Sequence, residues 1–255
     1  MPADRSPTDL RIAAAVASAA ARRVDDPGSR ARWADGTAPK PAPPPLARLL
    51  DSTADALESV RAGKSLTDVL ARCPAELRPG TQALAFHVMR WLGSAEAVRA
   101  VVAPRTPPAP VDCLLVCALA LLWPDSDAPY ADHTLVDQAV TAARNRTPQA
   151  AGFVNAVLRR FVRERDVLAS AVRTRPVAAY NHPLWWIERV KQDWPAQWQA
   201  MLTAANRHPP MALRVNARRG TAAAYVSRLA AQGRAAIEAG GQAVVLEHPC
   251  GVHEL

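Results

Sequence analysis

Asn155, Arg159 and Arg163 recur at four-residue spacing, and at about 3.6 residues per turn they share one side of a helix. Phe153, Val157 and Phe161 fall four apart on the other side. With Val154, Leu158 and Val162 beside them they form a broad apolar face. A helix that buries one face and lines the opposite one with guanidinium groups can hold a polyanion against a rigid support. An arginine stripe is also an ordinary solvated helix face, so its surroundings decide between the two. From Thr141 to Ala230 the sequence has 15 Lys and Arg against 4 Asp and Glu, a net of +11, while the whole chain carries +8 and the remainder therefore −3. Positive charge concentrated in this way recruits nucleic acid and makes binding weaken as salt rises. Nearly all of it is arginine, whereas helices that bind acidic membranes are typically lysine-rich. RNA is the expected partner. The candidate contacts are Arg144, Arg146, Asn155, Arg159, Arg160, Arg163 and Arg165, followed by Arg214, Asn216, Arg218 and Arg219.

Other reactive side chains point nowhere in particular. Cys113 and Cys117 lie inside the apolar run Cys113–Trp123, where thiols act as small hydrophobes, and Cys73 and Cys250 stand alone. Neither a disulfide framework nor a metal site is expected, and a reducing cytoplasm is the simplest compartment. The six histidines form no His-x-x-x-His pair, and none is matched to a nucleophile motif. His182 is read as a neighbour of a helix cap. Trp185, Trp186, Trp194 and Trp198 cluster within fourteen residues. Interleaved with basic residues they could stack bases. Ile187, Val190, Met201 and Leu202 extend the same apolar surfaces, so packing within a small helical linker is the expectation.

The word Gly152-Phe-Val-Asn-Ala-Val-Leu-Arg-Arg-Phe161 resembles the signature of the NusB-like helical domain, as it stands at the front of RsmB-type ribosomal RNA cytosine-C5 methyltransferases. His133-Thr-Leu-Val-Asp-Gln-Ala-Val140 is similar to the family's preceding helix. Asn181-His-Pro-Leu-Trp185 and Pro210-Met-Ala-Leu-Arg-Val-Asn216 resemble its connector motifs, in the same order. The resemblance runs from about Leu46 to Leu255. It implies a bundle that positions ribosomal RNA for a following doubly wound domain, which holds S-adenosylmethionine on a glycine-rich loop and uses two cysteines. This sequence has no glycine-rich strand-to-helix turn, since Gly240-Gly241 lies between a helix and a strand. Pro249-Cys250 is similar to the Pro-Cys of the catalytic motif but lacks its preceding acidic residue. No catalytic, cofactor-binding or metal residue is therefore assigned. The expected protein is the RNA-binding portion of such an enzyme, without its catalytic domain. A free-standing antitermination-type RNA-binding factor and a helical protein-interaction module are the alternatives.

The elements that must carry these residues are mostly helical. Residues 1–45 read as a flexible, Pro-rich extension; Ile12–Ala21 is alanine-rich, and Asp4 and Asp9 argue against a targeting signal. The run Cys113–Trp123 has 11 residues, well short of the ~20 that span a membrane, and reads as a buried helix. Periodicity predicts helices over Leu46–Val60, Leu66–Leu70, Thr81–Leu92 with Gly93 as terminator, Val111–Trp123, Asp132–Arg144 and Gly152–Arg165. Asn181 is expected to cap a further helix. Strands are predicted at Met211–Asn216 and Ala243–Leu246, with a helix at Thr221–Gln232 between them. The reading is mainly α: a NusB-like helical bundle (46–170), a helical connector (171–205) and the start of a small, incomplete β-α-β subdomain (206–255). Such a unit leaves open edges, with Val244, Val245 and Leu246 expected in water.

Overall fold

The structure is a computed structural model and describes residues 43–252 and Leu255. The readings made for the first 42 residues lie outside it. The described chain divides into two compact units between Arg207 and His208. The first is helical: α1 (Leu46–Arg61), α2 (Leu66–Arg72), α3 (Arg78–Arg90), α4 (Leu92–Val102), α5 (Ala109–Leu121), α6 (Asp132–Arg146), α7 (Ala151–Arg163), α8 (Arg165–Val172), α9 (Pro176–Tyr180), α10 (Leu184–Asp193) and α11 (Trp198–Ala205).

Helix α5 explains the arrangement. Every residue from Val111 to Trp123 is buried, so this helix has no polar face and must be surrounded. Helices α1, α4 and α6 pack around it, and α7 lies along α6. The one charge on the buried run, Asp112, lies 2.8 Å from Arg61 Nη1 and 2.9 Å from Arg99 Nε, and Arg61 reaches on to Glu96 at 2.7 Å. Burial opposes the Arg61 charge, but the hydrogen bonds to Glu96 and Asp112 outweigh it and hold its pKa above the ordinary value. Pairing of this kind offsets the cost of burying a charged side chain.

Three helix boundaries differ from the sequence reading. The helix expected at Thr81–Leu92 is preceded by a turn at Leu77, includes Pro79 in its first turn, and ends at Arg90, with Trp91 as its cap. Gly93 does not terminate it but lies in the first turn of α4. A Cβ there would stand 2.3 Å from the Val177 carbonyl oxygen of α9, so this glycine is required by a close helix approach. The helix expected at Gly152–Arg165 breaks at Glu164, and α8 begins at Arg165. Asn181 caps the end of α9 in a left-handed conformation, rather than the start of α10. Its Oδ1 accepts from Ser94 N at 2.8 Å, and Ser94 Oγ donates to Ala178 O at 2.7 Å. This side chain is occupied by a tertiary contact, which local sequence does not reveal.

The second unit contains β1 (Ala212–Arg214), α12 (Ala222–Ala231), β2 (Ala236–Glu238) and β3 (Ala243–Leu246). The sheet order is β1-β3-β2 and both pairings are antiparallel. The expected β-α-β unit therefore gains a strand: Ala236-Ile-Glu238 is too short to show an alternation, and the glycine pair that follows it makes the β2–β3 turn, with φ of 99° at Gly240 and 56° at Gly241. Val244 and Leu246 are buried, not in water as expected. Val244 clusters with Ala222 and Leu229 of α12.

Candidate nucleic-acid interface

The sequence of α7 separates into two faces as read, with one exception. Ala151, Val154, Val157, Leu158 and Phe161 are buried. Phe161 stacks on Trp123 with ring centroids 6.3 Å apart, which joins α7 to the end of α5. Arg159 and Arg163 are exposed on the opposite face, with Asn155 and Arg160 at its margins. Asn155 Oδ1 accepts from Arg159 Nε at 3.0 Å, setting that guanidinium one turn along the helix. Arg160 and Arg163 both reach Glu164, at 3.2 and 3.1 Å. Chiefly through the Arg160 hydrogen bond, Glu164 is held below the usual carboxylate range. Two arginines thus share one surface carboxylate, leaving excess positive charge along the face.

The exception is Phe153. Assigned to the core by its spacing, it is 41% exposed. Residues 153, 157 and 161 drift around the helix by about 40° at each four-residue step, and Phe153 reaches the boundary where the arginine face begins. It adds an aromatic surface to that face, which the four-residue count concealed.

Other candidates divide by what already occupies them. Arg144 is exposed at the end of α6. Arg146 is turned inward: its Nη1 lies 2.5 Å from Asp51 Oδ1, its Nη2 pairs with Asp55, and Glu58 is 3.7 Å away. Burial opposes its charge, yet the hydrogen bonds to Asp55 and Asp51 raise its pKa. Its charge is committed to tying α6 onto α1. Arg165 pairs with Asp132 at 2.6 Å and lies over the Phe161 ring. It ties the start of α8 to α6 and covers the end of α7.

Arg214, Asn216 and Arg219 line an open cavity in the second unit, and Arg218 is exposed beside them. Asn216 Oδ1 accepts from Arg218 N at 3.0 Å, shaping the turn that leads to α12. Tyr225 and Arg228 line the same cavity. Neither is conspicuous in sequence, since they lie about one and two turns inside an alanine-rich helix.

Trp185, Trp186 and Trp194 are exposed, against the packing expected for them, and Trp185 and Trp186 meet edge to face at 5.6 Å. Only Trp198 joins Tyr180 against the small cluster of Ile187, Val190 and Leu202. His182 Nδ1 lies 2.5 Å from Tyr180 O, closing the end of α9 as a cap neighbour would. Cys113 and Cys117 are buried, and desolvation raises both thiol pKa values. Among the described residues no cluster of His, Cys, Asp or Glu could hold a metal ion. No helix among them is long and apolar enough to cross a membrane.

Comparison with known proteins gives two domain matches, the second of which crosses the boundary between the two compact units. Residues 50–163 match the NusB family, and residues 182–253 match the RsmF/B-like methyltransferase ferredoxin-like domain, a match that begins ahead of α10. A NusB-type helical domain followed by this ferredoxin-like domain is thus the class of protein the chain represents. It is homologous to ribosomal RNA small subunit methyltransferase B. The enzyme of that name from Pseudomonas putida is 33% identical over 217 residues, covering 80% of this chain and 49% of that protein. The one from Pseudomonas syringae pv. tomato is 34% identical over 215 residues, covering 80% and 47%. A probable counterpart from Coxiella burnetii is 39% identical over 126 residues, covering 48% and 29%. The chain spans about half the length of these relatives or less. The crystal structure of PH0851 shares the fold, with a TM-score of 0.51 and 16% identity over 82% of this chain and 50% of that one.

Proposed function

We propose that this chain binds ribosomal RNA through the exposed face of α7 and serves as the RNA-positioning region of a small-subunit rRNA cytosine-C5 methyltransferase. One observation carries the reading: Arg159 and Arg163 lie in water on a helix whose opposite face is fixed in the core by Val154, Val157, Leu158 and Phe161. The guanidinium groups are therefore held on a rigid support, and Phe153 beside them offers a ring to an unpaired base. The names of the relatives supply the choice of ribosomal RNA and of methyl transfer.

S-adenosylmethionine would be the methyl donor of such an enzyme. Among the described residues no strand-to-helix turn is glycine-rich, and Gly240 and Gly241 are spent on the β2–β3 turn. No residue of this chain is assigned to the cofactor, and its proposed part is to hold RNA in place.

The test is the double substitution Arg159→Gln with Arg163→Gln. Affinity for a small-subunit rRNA fragment should fall, and the dependence of log K on log salt should flatten by up to about two phosphate equivalents. Melting should scarcely move, because exposed substitutions usually stay within roughly 0.5 kcal/mol. Unchanged affinity and salt slope would remove α7 from the interface.

A further inference from the structure

Building on the RNA reading, we infer that the cavity between β1 and α12 is a second, separate RNA site, which seats one backbone phosphate of an unpaired segment together with its nucleotide. The cavity measures about 360 Å³, within the roughly 300–1,000 Å³ of small-ligand sites. Arg214, Arg219 and Arg228 all line it, and no lining residue is acidic. None of the three makes an ion pair among the described residues. Three arginines lining one cavity whose lining includes no carboxylate favour a shared anion.

Two further features select a nucleotide over a bare ion. Arg228 Cζ lies 4.6 Å from the centroid of the Tyr225 ring. A guanidinium laid on a ring keeps its N–H edge free for a phosphate, and its outer face can take a stacked base. The rim at Gly220 is open, with no atom within 4 Å of where a Cβ would stand. Behind it Thr221 caps α12, accepting from Ala224 N at 3.2 Å, and the positive end of the helix faces the same space. A concave site of this size excludes a duplex. It suits a single strand whose base is turned out.

The full chain carrying Arg219→Gln and Arg228→Gln should bind a labelled 12-nucleotide unpaired RNA about five- to tenfold more weakly, with the salt slope flattened by about 0.7, the share of one phosphate on a single strand. Affinity for a blunt RNA duplex should change much less. Combining these substitutions with Arg159→Gln and Arg163→Gln should multiply the two losses, since the two sites share no residue or partner. The Arg219→Lys, Arg228→Lys variant keeps the charge and should restore the slope but not the full affinity. Circular dichroism of each variant confirms that the fold is retained. If the cavity variant binds the single strand as the parent does while the α7 variant is weakened, this inference is wrong and the α7 reading stands. If inorganic phosphate shifts the Gly220 and Thr221 amide resonances but the 12-mer does not, the cavity takes a free anion and the RNA assignment is overturned. If the unmodified chain binds neither RNA, both readings fail.

Discussion

At the scale of single residues, arginines of one composition do different work according to the carboxylates around them. Arg146 stands among three acidic side chains of α1, whereas Arg159 has only the Asn155 carbonyl oxygen. Replacing Arg146 with glutamine should therefore cost stability, about 1–2 kcal/mol given the partly exposed partners, and leave RNA affinity nearly unchanged. Urea unfolding and a binding titration on the same sample separate the two effects. Asp112→Ala should cost more, about 2–3 kcal/mol, because it leaves the half-buried Arg99 with no carboxylate, only the Ala103 carbonyl and the Thr106 hydroxyl at 3.4 Å, while Arg61 keeps Glu96. The sequence made the arginines legible as a group. It did not show which of them faced acid, because Asp51 and Asp55 lie about ninety positions away from Arg146. Phe153 was misread for a simpler reason: a four-residue count places it with the core, and the true helical period carries it out.

Elements with a strong pattern were read well and those defined by contact were not. The unbroken apolar run of α5 could only be a central helix. The division between α3 and α4 has no such signal, since Gly93 serves a neighbour that lies more than eighty residues on. Gly93→Ala should accordingly destabilise the bundle by roughly 1–3 kcal/mol, as overpacking against rigid backbone does, measurable as a lowered urea midpoint. Helix α3 also carries a pH response. Burial, and after it the charge of Arg90, lowers the His87 pKa below its ordinary 6.5, with Asp127 acting weakly the other way. His87 Nε2 is buried without a hydrogen-bond partner. The unfolded chain therefore takes up the proton first as pH falls, so stability is present above about 6.5 and is lost as pH drops through the lower folded value. Melting temperature should decline between pH 7.5 and pH 5.5, and His87→Gln should reduce that decline. An equal decline in the variant would place the titration elsewhere.

At the scale of the whole molecule, the two units have separate cores, the larger around α5 and the smaller beneath α12. The bundle, its connector and the final α/β unit were foreseeable from periodicity and from motif order. The third strand was not, being three residues long, and neither was the burial of Val244 and Leu246, which depends on α12 folding back over the sheet. Three tryptophans left in water by α10 and its end show the same limit, because composition marks an aromatic cluster without saying what covers it. With separate cores, a chain ending at Arg207 should keep the melting temperature of the helical unit, and a large fall would show that the second unit supports the first.

Ultraviolet cross-linking of the full chain to small-subunit rRNA, with the attachment sites located by mass spectrometry, shows whether RNA lies on the outer face of α7. Cross-links are expected in the peptide spanning 151–163, with Phe153 as the principal site, and should be lost as salt is raised. Cross-links that avoid this peptide altogether, or persist unchanged at high salt, would contradict it.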